Sequence, residues 1–446
     1  MRCTVLLDAP WREPVEALSA FADEPWAVGL VSGGQGAQAR WSYLARQPDA
    51  TLTVRPDDPT DPFEALAALL GEAAPADPEG PPFQGGVLGL AAYELGARVE
   101  PLTLARRPGW PDLAAARYPA VLAFDHRARK VAAVGRGETA GAAEERARAA
   151  RAWLDAAPAA ACAGPLTHGL TASSGVGHEA VVADVVRRIG AGEIFQANVA
   201  RSWTGELRAG VRPYDLLARL AGQSAAPFAA YLRLPGLAVV SNSPERFLRL
   251  EGGRAETRPI KGTRPRGRTR CEDAELAAEL SASAKDRAEN LMIVDLMRND
   301  LARVARPGSV RVPDLFAVES FANVHHLVST VTAKLAAGRT AADLLRAAFP
   351  PGSVTGAPKV QAMKVIAAHE PPRGPYCGSL FWMGFDGAMD SSVLIRTAAL
   401  EETAAGWRVE ARAGGGVVAD SEPAAERAET EAKIAALARA LCGAGA

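Results

Sequence analysis

No stretch of this 446-residue chain stays apolar long enough to span a bilayer, which takes about 20 consecutive, mostly apolar residues. The opening residues reach Asp8 too soon to form the apolar core of a signal peptide. Cysteine is scarce. Cys3, Cys162, Cys271, Cys377 and Cys442 are dispersed and odd in number, with neither metal-ligand spacing nor a disulfide framework. Charge of one sign is missing too. Fifty Lys and Arg stand against 51 Asp and Glu, and a net charge of -1 gives no overall field toward nucleic acid or membrane. These absences point to a reduced, cytoplasmic enzyme. The 48% hydrophobic and 23% charged residues are ordinary for a globular protein. The length calls for two domains or one large, elaborate one.

Residues 1–135 hold short apolar runs broken by Gly and Pro, such as Trp26 to Val31 and Gly86 to Ala92. Tyr118 to Phe124 alternates and reads as a strand, with Lys130 to Val134 as its partner. Residues 136–177 comprise an Ala/Glu/Arg-rich helical run, Ala140 to Leu154, and a linker rich in Ala, Pro, Gly and Ser. From His178 to Cys442 the texture changes. Glu179 to Ile189 has helical spacing and stops at Gly190. Phe228 to Leu234, Leu237 to Asn242, Phe247 to Leu250 and Arg254 to Arg258 read as successive antiparallel strands around Pro235-Gly236 and Gly252-Gly253 turns. Glu272 to Leu301 reads as mostly helix, and Pro423 to Leu441 as a closing helix. Strand runs interrupted by long helices, without strict alternation, predict an α+β fold of packed antiparallel sheets with helices outside.

Lys261, in Pro259-Ile260-Lys261-Gly262-Thr263, reads as an amine on a tight, semi-apolar turn. Desolvation would favour its neutral, nucleophilic form. Glu245, sixteen residues upstream, could protonate a leaving group. An ordinary solvated loop lysine fits the same pentapeptide. Glu289 opens a helix that Leu291, Met292, Val294 and Leu296 could bury. Glu426, Glu429 and Lys433 share one helix face at spacings of three and four. Two carboxylates one turn apart, with Glu289 as a third, suit a hard divalent ion such as Mg²⁺, and a surface Glu–Lys pair is the alternative. Gly414, Gly415 and Gly416 can bring backbone N–H groups near an anion or form a flexible turn. Phe349 to Lys359 lacks the order of a phosphate-binding loop. Its hydroxyls before a helix N-terminus still suit a carboxylate. Arg396 among apolar strand neighbours needs an anion, from ligand or protein. His325 and His326, adjacent on a strand, face opposite ways, and His326 is the one expected to face a site.

These segments resemble the chorismate-utilising enzyme family of anthranilate, aminodeoxychorismate, isochorismate and salicylate synthases. The resemblance rests on Gly192 to Asn198, Ser243 to Phe247, Pro259 to Thr263, Glu289 to Asp300, His326 to Ser329, Gly352 to Lys359, Arg373 to Gly378, Ile395 to Thr397 and Ala413 to Lys433, all in the family's order. It implies a chorismate-binding fold with Mg²⁺ on Glu289 and Glu429 and with Glu426 acting through water. It also implies a second substrate carboxylate held by Tyr376, Arg396 and the backbone of Gly414 to Gly416. Ser353 takes the place of the family's usual Thr. Lys433 would neutralise a carboxylate, His326 would lie near the ring, and Gln196 and Thr263 would line the substrate site.

Two positions separate the family's activities. Water-adding members carry a lysine base where this chain has Gln196. Anthranilate synthases have Ala where Lys261 stands, and lysine there marks the members that aminate chorismate at C4. The resemblance therefore implies attack by Lys261 at C2, protonation of the departing 4-hydroxyl by Glu245, and displacement of the lysine by ammonia at C4. The ammonia is expected from a separate glutaminase subunit, because no Cys sits in a nucleophile elbow. Anthranilate formation is the rival expectation, followed by isochorismate or salicylate formation, and a non-catalytic chorismate-binding subunit is the rival from another class.

Overall fold

The structure is a computed structural model that describes residues 2–34, 36–223, 226–321 and 324–443, except the side chain of residue 37. Two antiparallel sheets face each other. The twelve-stranded sheet runs in the order Cys3–Ala9, Lys130–Gly137, Ala120–Asp125, Trp41–Ala45, Val28–Leu30, Phe228–Leu234, Leu237–Ser243, Thr397–Thr403, Gly406–Val417, Gln196–Glu206, Gly356–Ala357, with Thr171–Ala172 beside Gln196–Glu206. The ten-stranded sheet runs Ile260–Pro265, Val324–Lys334, Arg254–Thr257, Arg246–Glu251, Met389–Val393, Ser379–Gly384, Gly86–Ala91, Leu113–Tyr118, Ala50–Val54, with Arg311–Ser320 also on Val324–Lys334. Each sheet draws strands from both sides of the 155–177 segment.

Alternation explains the layers, because successive side chains on a strand point to opposite faces. Val28, Tyr43, Leu232 and Val239 of one sheet meet Leu88, Leu90, Leu380 and Trp382 of the other in a shared core. Burying each large apolar side chain contributes about 1.5–3 kcal/mol. The helices cover the outer faces. Ala284–Ala302 and Ala341–Ala348 pack on the ten-stranded sheet, and Pro213–Gln223 and Pro423–Cys442 on the twelve-stranded one. This is the α+β architecture expected from the sequence.

Several local expectations are corrected. Tyr118 to Phe124 is not one strand, because Pro119 separates two strands that enter different sheets. The four strands from Phe228 onward likewise divide, two to each sheet. Glu272 to Leu301 is two helices, Arg270–Ala282 and Ala284–Ala302, because Ser283 leaves helical geometry and caps the second through Asp286 N. Leu291 is 50% exposed and does not help bury its helix, whereas Ile293 and Val294 do. Arg311–Ser320 is a strand not anticipated from its pattern.

Candidate active site

A cavity of about 780 Å³ gathers residues from across the chain. Lys261, Glu245, His326, Ser353, Tyr376, Arg396, Gly414, Gly416, Lys433, Thr263, Glu289, Glu426 and Glu429 all line it. Gln196 and Gly415 lie beside it. A Cβ added at Gly416 would meet Gln196 Nε2 at 2.7 Å and Lys261 Nζ at 3.0 Å. One added at Gly415 would meet Glu426 Oε2 at 2.8 Å and Glu429 Oε1 at 3.5 Å.

Lys261 is carried by a strand, not a turn. Ile260 pairs with Val328 and Thr263 with His326, and the register shifts between them, where Gly262 has φ +85°. This bulge re-aims the side chain. Burial pushes the Lys261 amine down from the ordinary lysine range, Glu289 opposes that shift and Lys433 adds to it. Glu245 is 8% exposed and accepts a hydrogen bond from Ser353 Oγ at 2.7 Å. Burial raises its pKa above the ordinary carboxylate value, while the Ser353 bond and the charges of Lys261 and Lys433 pull it back. Burial therefore shifts the amine toward its neutral form and the acid toward its protonated form in one cavity.

His325 and His326 divide as their strand positions require. His325 is 2% exposed and bridges Ser320 Oγ and Asp273 Oδ1 at 2.8 and 2.9 Å. His326 meets Thr263 Oγ1 at 2.9 Å on the cavity side, and burial lowers its pKa.

The three glycines do not form a turn. Gly414 to Gly416 continue the strand Gly406–Val417, paired with Ala200, Val199 and Asn198. Their role is room, since a side chain at Gly416 would press on Gln196 and Lys261, one at Gly415 on the two glutamates, and one at Gly414 on Val199 and Ala200 of the neighbouring strand. Arg396 is not in a strand either. It lies in the crossing between Met389–Val393 and Thr397–Thr403, with φ +53°, a conformation uncommon outside glycine. Burial lowers its pKa, and the guanidinium faces the cavity beside Tyr376.

Burial raises the pKa values of Glu289 and Glu426. Ser421 Oγ donates to Glu426 Oε1 at 2.7 Å, Lys433 pairs with Glu429, and Lys433 Nζ donates to Gly414 O at 2.8 Å. Among the described residues, no three acidic, His or Cys side chains close around one point tightly enough to hold a metal by themselves.

Sequence reading missed four contributors. Asn198 and Asn242 line the cavity, and Asn198 Oδ1 is buried without a hydrogen-bond partner among the described residues. Lys285 lies one turn before Glu289 and pairs with Asp420 at 3.2 Å near the metal-candidate carboxylates. That i,i+4 spacing was a usable signal. Arg373, 1% exposed, donates to Asn198 O at 2.6 Å, Val354 O at 3.1 Å and Glu370, tying together the backbone behind Asn198, Ser353 and Tyr376. Glu370 is only three residues away, but Val354 and Asn198 lie 19 and 175 positions off, so this role cannot be read from its own segment.

Residues 30–439 match the family model described as chorismate binding enzyme. The chain belongs to that family. It is 42% identical to aminodeoxychorismate synthase component 1 of Klebsiella aerogenes, covering 97% of this chain and 98% of the relative. It is 38% identical to anthranilate synthase component 1 of Thermus thermophilus, covering 96% and 95%. The crystal structure of anthranilate synthase component I from Streptococcus pneumoniae superposes with a TM-score of 0.79 at 27% identity, covering 91% of this chain and 93% of that one. No helix among the described residues is long and apolar enough to cross a membrane.

Proposed function

We propose that this chain aminates chorismate at C4 and retains the enolpyruvyl group, forming 4-amino-4-deoxychorismate, the precursor of 4-aminobenzoate for folate. The observation that carries this reading is Lys261, an amine with a lowered pKa in the same cavity as the buried acid Glu245. Similarity to aminodeoxychorismate synthase component 1 supports it. So does the numbered component in that relative's name, which fits a separate glutaminase subunit as the ammonia source.

Arg396 and Tyr376 hold one substrate carboxylate, with Gly414 to Gly416 leaving room for the ligand against the strand. The Lys261 lone pair forms a C–N bond at C2 while both ring double bonds shift, C1=C2 to C1=C6 and C5=C6 to C4=C5, and the C4–O bond breaks. Glu245 gives its proton to the departing oxygen, which leaves as water. Ammonia then attacks C4, both double bonds return to C5=C6 and C1=C2, and the C2–N bond to Lys261 breaks. The proton lost by the new amine goes to Glu245 or solvent, restoring the starting state. His326 and Thr263 flank the bulge that presents Lys261. Gln196 supplies no charged base, which disfavours activation of water as the nucleophile.

Glu289, Glu426 and Glu429 fit Mg²⁺ as an open carboxylate set, because Gly415 leaves both glutamates of the C-terminal helix free space at one point. Mg²⁺ binds through few carboxylates plus substrate oxygens. When bound, it would neutralise and orient the ring carboxylate. Lys433 and Lys285 balance the remaining charge.

Mass spectrometry of the product from purified chain, chorismate, Mg²⁺ and an ammonium salt tests the reading. A species that a lyase converts to 4-aminobenzoate supports it. Anthranilate with released pyruvate would replace it with the tryptophan-pathway reaction.

A further inference from the structure

The loop between the helix Lys359–His369 and the strand Ser379–Gly384 carries Tyr376, which lines the cavity. Gly374 has φ +60° there and Cys377 φ +62°, the latter uncommon for a residue with a side chain. One tie on this loop is Cys377 N, which donates to Leu394 O at 2.8 Å, two residues before Arg396. The other comes from the N-terminal region. Tyr93 and Glu94 open the short helix Tyr93–Arg98, just past the strand Gly86–Ala91. Tyr93 N donates to Gly374 O at 2.8 Å. Glu94 Oε1 accepts from Arg373 N at 2.6 Å, and Glu94 Oε2 from Gly374 N at 2.9 Å. Both carboxylate oxygens are thus engaged by one turn of backbone 279 and 280 positions away. Glu94 is 4% exposed and does not line the cavity. Burial raises its pKa, and the N–H bonds pull it back. The Arg373 guanidinium lies over the rings of Tyr93 and Tyr376, 4.7 and 5.7 Å from their centroids.

We propose that Glu94 is a positioning residue for substrate binding: its carboxylate fixes the turn at Arg373 and Gly374 and so aims Tyr376 at the substrate carboxylate that Arg396 also holds. The inference rests on the reading above that Tyr376 and Arg396 hold one carboxylate of chorismate. Arg373 and Gly374 are buried. Without the acceptor, their N–H groups stay unpaired at a desolvation cost, or the turn rearranges. Tyr376 is two residues past Gly374, and its N–H donates to Arg373 O at 3.3 Å, so a rearranged turn carries the ring with it. The effect is directed. The Arg373 guanidinium reaches Val354 O, next to the Ser353 that bonds Glu245, through a contact that does not involve Glu94. Glu94 therefore acts on substrate binding and leaves the acid Glu245 undisturbed.

The test is a double-mutant cycle on binding. Chorismate is titrated calorimetrically, with Mg²⁺, into Lys261→Ala chain, where no adduct forms, and into the same chain carrying Glu94→Gln, Tyr376→Phe or both. Gln keeps the size of Glu but turns an N–H donor toward one of the two backbone N–H groups. Glu94→Gln should raise the Kd for chorismate about tenfold. In the presence of Tyr376→Phe, which removes only the hydroxyl, the same change should add less than about twofold. An unchanged Kd in Glu94→Gln, or effects that add fully in the pair, overturns the inference. A substitution that merely destabilises the fold does not couple to one hydroxyl. With Lys261 intact, the pH dependence of kcat for chorismate consumption should stay in place in Glu94→Gln. A displaced profile would put the effect at Glu245 and overturn the inference as well. Should Glu94→Gln fail to fold, Gly374→Ala strains the same turn at φ +60° and carries the same comparison with Tyr376→Phe. Binding is read, so the result does not depend on which nucleophile adds. Absence of chorismate binding by the wild-type chain would remove the substrate reading itself, which is a separate outcome.

Discussion

Ser353 Oγ donates a 2.7 Å hydrogen bond to Glu245 Oε1 across 108 positions of sequence. The bond favours the ionised carboxylate, so it holds the pKa of Glu245 below the value that burial alone would set. Ser353→Ala should raise that pKa further. The acid is needed in its protonated form, so the basic limb of the kcat profile should move to higher pH. A hydrogen bond to a charged group is worth about 1.5–3 kcal/mol, so kcat should fall by about tenfold or more. Ser353→Thr, which keeps the hydroxyl, should retain the wild-type profile. A profile unmoved in Ser353→Ala would remove Glu245 from the acid role.

Lys261→Ala should form no covalent adduct with chorismate and no C4-aminated product, as read by intact-protein and product mass spectrometry. Normal turnover in the variant would exclude the lysine as nucleophile.

Lys261 also links stability to pH. Its folded pKa lies below the unfolded value, so the unfolded state binds more protons between the two. The destabilisation is complete below the folded pKa and disappears as pH rises through the ordinary lysine range. Lys261→Met should therefore raise Tm at neutral pH, with a gain that shrinks toward alkaline pH. Thermal melts across pH check this, and a constant gain would contradict it.

Gly416→Ala should fold, since the position is extended strand, but its methyl would press on Gln196 and Lys261. Overpacking of this kind costs about 1–3 kcal/mol, so the KM for chorismate should rise about tenfold. Titration of substrate against rate measures it, and an unaltered KM would mean that the ligand does not approach this strand.

Glu289→Gln should raise the Mg²⁺ concentration for half-maximal activity by about tenfold, a loss of about 1.4 kcal/mol. Full activity in excess chelator would contradict the metal role of Glu289, Glu426 and Glu429.

Much of the local structure was legible in the sequence. The helices Gly175–Gly190 and Pro423–Cys442 follow from spacing and end signals, and the shared face of Glu426, Glu429 and Lys433 follows from the helical repeat. Three failures at the site share one cause. Lys261 in a Pro/Gly-flanked pentapeptide reads as a turn, and only pairing with His326 and Val328 makes it a bulged strand. The glycine triplet reads as a turn until Asn198, Val199 and Ala200 lie alongside it. Arg396 looks like a strand residue because the change of sheet at that point leaves no local mark.

Taken alone, the chain order of residue types determined the fold class, the family resemblance and the side chains to which the reaction assigns a role, because periodicity and motif spacing are local properties. Tertiary structure decided what those side chains can do. The lowered pKa of Lys261 and the raised pKa of Glu245 arise from burial and from charges on Glu289, Lys433 and Ser353's hydroxyl bond, groups separated by up to 188 positions and brought together only when the two sheets close. Desolvation and Coulomb interaction depend on distance in space, and distance along the chain does not encode them.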